Sequence, residues 1–103
     1  MRRQLRLPPV VHLVELTLFG SSASRVTESG ARLAERLRGA IKRRRITLLG
    51  PAPHRIPRLR RNYRVCLILK ARAVEAVIPV LEEVLQPGRK FLGMPVLVDV
   101  DPL

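Results

Sequence analysis

The sequence predicts an α+β domain in which two amphipathic helices cover one face of a four-stranded antiparallel sheet. Three observations predict it. Four short runs alternate apolar and polar residues with the period of a strand. Two longer stretches repeat apolar residues at helical spacing. Their order along the chain is β-α-β-β-α-β, and a sheet with one apolar face needs helices on that face to bury it. At 103 residues the chain has room for one core of this kind.

The first strand covers residues 10–19, VVHLVELTLF. Val14, Leu16 and Leu18 face one side, Glu15 and Thr17 the other, and His12 belongs to the sheet surface. Pro8 and Pro9 precede it, and Gly20-Ser21-Ser22 ends it. Residues 24–42 read as the first helix, with Val26, Leu33, Leu37 and Ile41 as its apolar stripe and Ser22 or Ser24 as its N-cap. Arg32, Arg36, Arg38 and Lys42 lie mainly off that stripe. Gly30 and Gly39 each weaken the helix by ~1 kcal/mol relative to alanine.

Residues 44–50, RRITLLG, make the second strand. Gly50-Pro51-Ala52-Pro53 is expected to stop it, because proline cannot donate to a sheet ladder. The third strand is NYRVCLILKA, residues 62–71. Tyr63, Val65, Leu67 and Leu69 share one face, and Arg64, Cys66, Ile68 and Lys70 share the other. Residues 73–86 read as the second helix, with Val74, Val77, Ile78, Leu81 and Leu85 as its stripe. Pro79 would cost ~3 kcal/mol in a helix interior, so this helix either starts late, near Ala76, or kinks there. Pro87-Gly88 ends it. The last strand is residues 95–101, with Val96, Val98 and Val100 inward and Asp99 and Asp101 outward. The whole is the ferredoxin-like, split βαβ arrangement. That arrangement hosts many functions, so function has to be argued from sites.

The core must be built from Leu, Val, Ile and Ala, since the aromatic residues are only Phe19, Phe91 and Tyr63. The net charge is +12, and 17 of the 20 basic residues are arginine. The charge is concentrated: residues 1–70 carry +14 and residues 71–103 carry −2. Such asymmetry points to an anionic partner, whether nucleic acid, a membrane surface or an acidic peptide. The plainer alternative is an arginine-rich solvated surface. The single cysteine, Cys66, excludes an internal disulfide and a multi-cysteine zinc site. Set in an apolar run, it is expected to be a small core residue in a protein of the reducing cytoplasm. No apolar run approaches the ~18 residues of a membrane span, and MRRQLRLPPVV does not read as a secretory signal.

The densest feature is the turn and arginine burst between the second and third strands. Arg55, Arg58, Arg60, Arg61 and Arg64 lie within ten residues, and Arg43, Arg44 and Arg45 enter the neighbouring strand. If the Gly-Pro-Ala-Pro turn folds back on the sheet, both groups meet at one edge. Guanidinium forks match phosphate geometry, so these eight arginines are the candidate nucleic-acid contacts. The prolines would hold them with less entropy lost on binding. The competing assignment is an exposed charged loop that pairs with another polypeptide.

Other candidates are weaker. Asp99 and Asp101 could hold Mg²⁺ through oxygen ligands, but they read better as a strand-end pair facing nearby arginines. His12 and His54 have no nucleophile at an interpretable spacing, although His54 would add a phosphate contact. An acylphosphatase-like hydrolase would need an arginine-bearing phosphate loop after the first strand and a water-orienting asparagine. Here the loop is GSSASR and the one asparagine, Asn62, is wrongly placed. No catalytic constellation, metal site or cofactor is expected.

Three segments resemble a known family. They are RRQLRLPPVV at residues 2–11, GPAPHRIPRLRRNYRVCLILKA at 50–71 and VLVDVDPL at 96–103. Together they resemble the C-terminal domain of the bacterial primosomal protein N′ (PriA) family of replication-restart helicases. On that resemblance, residues 1–9 are a basic lead-in left from a helicase-lobe linker, and residues 10–103 are the domain. The helicase's own GxxxxGK[ST] phosphate loop is absent, as are its zinc cysteines. The resemblance therefore implies a non-catalytic module that contacts single-stranded or forked DNA. It also implies partners among the primosome proteins or the helicase core. A further implied partner is the acidic, Phe-ended tail of the single-stranded-DNA-binding protein, with Lys70 and Arg72 as candidate contacts. The runner-up is a structural domain that docks on a separate helicase core, through a patch around Cys66 and Ile68, without DNA binding of its own. No membrane partner is implied.

Overall fold

The computed structural model describes residues 11–53 and 63–101. The chain runs β1 (His12–Gly20), α1 (Ala23–Ala40), β2 (Ile46–Pro53), β3 (Tyr63–Ala71), α2 (Ile78–Val84), β4 (Lys90–Phe91) and β5 (Met94–Val100), with a 3₁₀ turn at Val74–Ala76 before α2. The fold is α+β: two helices and one antiparallel sheet of five strands in the order β2-β3-β1-β5-β4. Four strands were expected. The fifth, β4, is two residues long and pairs with the start of β5.

β1 is central because both its neighbours carry matching apolar faces. Leu16 lies opposite Leu67 on β3 and Val98 on β5, and Leu18 opposite Val65 and Val96. Leu16, Leu18, Leu67 and Leu69 are completely buried. They join Val26, Leu33 and Leu37 of α1 and Val80 and Val84 of α2 in one core. Emptying any of these leucine sites to alanine would cost ~2–5 kcal/mol. The strand alternation thus holds for β1 and β3. It fades along β5, where Val96 is buried, Val98 half-buried and Val100 46 % exposed.

α1 begins on Ser22, whose hydroxyl accepts from the Arg25 N–H at 3.4 Å. Gly30 is part of the packing. A Cβ there would sit 2.8 Å from Cγ1 of Val65, so glycine lets the helix approach β3 closely.

β2 corrects the expectation that Gly50-Pro51 stops it. The strand continues to Pro53, with a register shift between Leu49 and Ala52. Gly50 takes φ +98° before a cis Gly50–Pro51 bond, and a Cβ there would lie 2.9 Å from the Cys66 carbonyl oxygen. β2 is an edge strand, the position in a sheet where proline is tolerated.

The proline in the second helix is accommodated by a late start. α2 places Pro79 in its first turn, where the missing N–H is harmless. This rotates the stripe: Val77, Val80 and Val84 are buried, and Ile78, expected inside, is 47 % exposed. Leu92 and Gly93, both at positive φ, make the two-residue turn that creates β4.

Candidate nucleic-acid interface

Ile41 caps α1, donating its N–H to the Leu37 carbonyl, and the Arg44 N–H then bonds the Ile41 carbonyl at 2.8 Å. The resulting turn displays Lys42, Arg43, Arg44 and Arg45 to solvent. The three arginines therefore precede β2 and do not enter it. Ile46 pairs with Ala71 and Thr47 with Lys70. That register sets Arg45 across from Arg72 and beside Lys70, both exposed. Six cations thus gather at one end of the β2–β3 pair. Among the described residues the ion pairs are His12–Asp101 and Arg32–Glu28, so none of the six has a carboxylate partner there.

The chain enters and leaves residues 54–62 at the opposite end, where Pro53 pairs with Val65. At ~3.3 Å per residue, β2 separates that end from Arg43–Arg45 by about 25 Å. Arg55, Arg58, Arg60 and Arg61, together with His54, lie outside the described residues. Arg64 is the described member of that group. It is half-buried on the sheet face away from the helices, directly opposite Phe19 in register, with its guanidinium carbon over the ring at 5.2 Å from the centroid.

The same open face carries Glu15, Thr17, Cys66, Ile68 and Lys70. Cys66 is not a core residue: it is half-buried here, and its thiol donates to Glu15 Oε2 at 2.8 Å. Burial, and then the bond and charge of Glu15, push the thiol up from an ordinary 9.0 to about 12. It is a neutral donor rather than a nucleophile. Glu15 lies opposite Asp99 on β5, so the β1–β5 half of this face is acidic and the β3 half basic.

Asp101 does not pair with Asp99 as a two-carboxylate site. It turns out of β5 at φ 50° and closes the β1 end. Its Oδ1 accepts from the Leu13 N–H and its Oδ2 meets His12 Nδ1, both at 2.9 Å, while its own N–H donates to the Leu13 carbonyl. The His12 bond first, and the Leu13 bond second, hold its carboxyl below the usual range. Among the described residues no group of three His, Cys, Asp or Glu side chains could hold a metal. Sequence patterning missed Phe19 as a partner of Arg64. The available signal was an aromatic on the odd-numbered face of a strand whose even-numbered face is core.

Comparison with known proteins places the sequence. The primosomal protein N C-terminal domain family matches residues 3–103. The chain belongs to that family. It is also similar to the replication restart protein PriA of Thermotoga maritima, at 34% identity over 98% of the chain, and spans 12% of that relative's length. Two designed proteins share the fold. Foldit4 matches at TM-score 0.64 and 14% identity over 91% of this chain and 99% of its own. Ferredog-Diesel matches at 0.50 and 19% over 96% and 93%. Among the described residues no helix is long and apolar enough to cross a membrane.

Proposed function

We propose that this family member is a non-catalytic module of the cytoplasmic replication-restart apparatus that binds single-stranded or forked DNA through its phosphates. The observation that supports this most is the cluster of Lys42, Arg43, Arg44, Arg45, Lys70 and Arg72, six cations at one end of the sheet without a carboxylate partner among the described residues. Arg64 extends the proposed contacts toward the other end of the pair, and Arg55, Arg58, Arg60 and Arg61, which lie outside the described residues, are proposed as further phosphate contacts. Phosphate contacts of this kind release counterions and need no base recognition. Lys70 and Arg72 are also the proposed contacts for the acidic tail of the single-stranded-DNA-binding protein. The fold is read as ferredoxin-like with β4 added at one edge, on the strand order β2-β3-β1-β5.

The test is fluorescence anisotropy of a labelled fork and a labelled single strand at two salt concentrations. Arg43/Arg44/Arg45→Ala and Arg58/Arg60/Arg61→Ala are run beside the parent. Binding that weakens steeply with salt and in the first variant is the expected result. Equal, salt-insensitive binding by all three proteins would refute it. A second reading, docking on a separate helicase core, is favoured by Leu49 and Leu97, exposed by 45 % and 55 %. Association with a helicase core that survives the arginine substitutions and is lost in Leu49→Ser/Leu97→Ser would support that reading.

A further inference from the structure

We propose that the open sheet face holds a nucleobase of a single strand, stacked on the Arg64 guanidinium, with Phe19 positioning that guanidinium from below. This rests on the nucleic-acid reading above and adds a base-dependent contact to it. Three observations carry it. Phe19 and Arg64 are direct cross-strand partners, and the guanidinium carbon lies over the ring. Arg64 has no carboxylate partner among the described residues, so its edge is available to a phosphate and its outer surface to a planar group. The charges on this face are also segregated. Along β3, neutral Cys66 and Ile68 lead from Arg64 to Lys70 and on to Arg72, while Glu15 and Asp99 stand opposite each other on the β1–β5 side.

A phosphate chain is therefore directed along β3 and repelled from β5. Arg64 to Arg72 spans eight residues, about 26 Å at ~3.3 Å each. That suits a short single strand, near the lower end of the roughly 4–16 nucleotides covered by known single-strand grooves. A duplex keeps its base faces inside the stack and cannot make this contact, whereas an unpaired base can stack on an arginine plane.

The experiment compares a labelled thymidine oligonucleotide of about six nucleotides with an abasic oligonucleotide of the same length and charge. The parent, Arg64→Lys and Phe19→Ala are titrated with both. For the parent, the thymidine strand is expected to bind about tenfold more tightly, the scale of one base stack. Arg64→Lys keeps the charge but loses the planar surface. It should cost the thymidine strand more affinity than the abasic strand, the difference being the lost stack, and so erase the tenfold preference. Phe19→Ala, with folding checked by circular dichroism, should reduce the preference in the same way. Equal binding of both oligonucleotides by the parent, or a preference that persists in Arg64→Lys, overturns the stacking site while leaving phosphate binding in place. No binding of either oligonucleotide, or of a fork, at low salt overturns the nucleic-acid interface itself, and the stacking site with it.

Discussion

Gly30 and Gly39 occupy the same helix, and alanine at the two positions should act in opposite directions. Gly39 has nothing within 4 Å of where a Cβ would go. Gly39→Ala therefore gains helix propensity, about 0.5–1 kcal/mol, with its place in the last turn favouring the lower figure. Gly30 faces the sheet, and its added Cβ would lie 2.8 Å from Val65 Cγ1. Val65 is 8 % exposed and β-branched on a central strand, so it has little room to turn away. Overpacking of this kind costs about 1–3 kcal/mol, against a propensity gain of ~1 kcal/mol. The net is a loss of up to ~2 kcal/mol, or roughly 4–8 °C in Tm per kcal/mol for a domain near this size. Urea unfolding of the parent and both variants measures it. Val65→Ala removes the offending methyl and leaves an ordinary 3.5 Å contact to Cβ. In that background Gly30→Ala should turn stabilising. If Gly30→Ala stabilises the parent as Gly39→Ala does, the close approach of α1 to β3 is refuted.

Asp101→Ala removes both side-chain acceptors and should loosen the ends of β1 and β5, seen as faster hydrogen exchange at the Leu13 amide; unchanged exchange would mean the carboxylate is not the clasp. Because the folded carboxyl is depressed, its contribution to stability is present above the ordinary aspartate value of ~3.9 and is lost as pH falls through the lower folded value. An NMR titration should find Asp101 below ordinary aspartates and return it toward them in His12→Ala. Cys66, with its thiol at about 12, should react slowly with a disulfide reagent at pH 8. Its thiolate fraction falls about 10³-fold and higher nucleophilicity restores ~20-fold, leaving a rate roughly 50-fold below a free thiol. Glu15→Gln should raise that rate, and a parent that reacts like a free thiol would contradict the Glu15 bond.

Much of the fold was legible because period-2 and period-3.6 patterns are direct signatures of burial. The faces of β1 and β3 and the stripe of α1 follow from them, while Pro79 left a late start or a kink of α2 open, and the late start is what forms. What was missed depends on register and backbone geometry. Gly50-Pro51 looked like a stop, but an edge strand tolerates it. The two-residue β4 depends on a Leu92-Gly93 turn with a leucine at positive φ, which carries little composition signal. Ile78 and Val80 exchanged roles because the late helix start rotates the stripe. Cys66 was expected inside although its own strand alternation put it with Arg64 and Lys70. For the candidate interface, the sequence showed which residues are basic but not which ends of the strands they occupy. Only the β2–β3 register brings Arg43–Arg45 to Lys70 and Arg72 and sets them a strand length from the entry to residues 54–62.

The measurement that bears most directly on the proposed interface is the salt dependence of duplex-fork affinity for the parent and Arg43/Arg44/Arg45→Ala. Each phosphate contact adds about 0.9 to the slope of log affinity against log salt on duplex DNA, so three lost contacts should flatten it by about 2.7. A slope flattened by that amount, with the fold intact, is the predicted result. A slope unchanged by the substitutions would show that Arg43, Arg44 and Arg45 at this end of the sheet do not meet DNA.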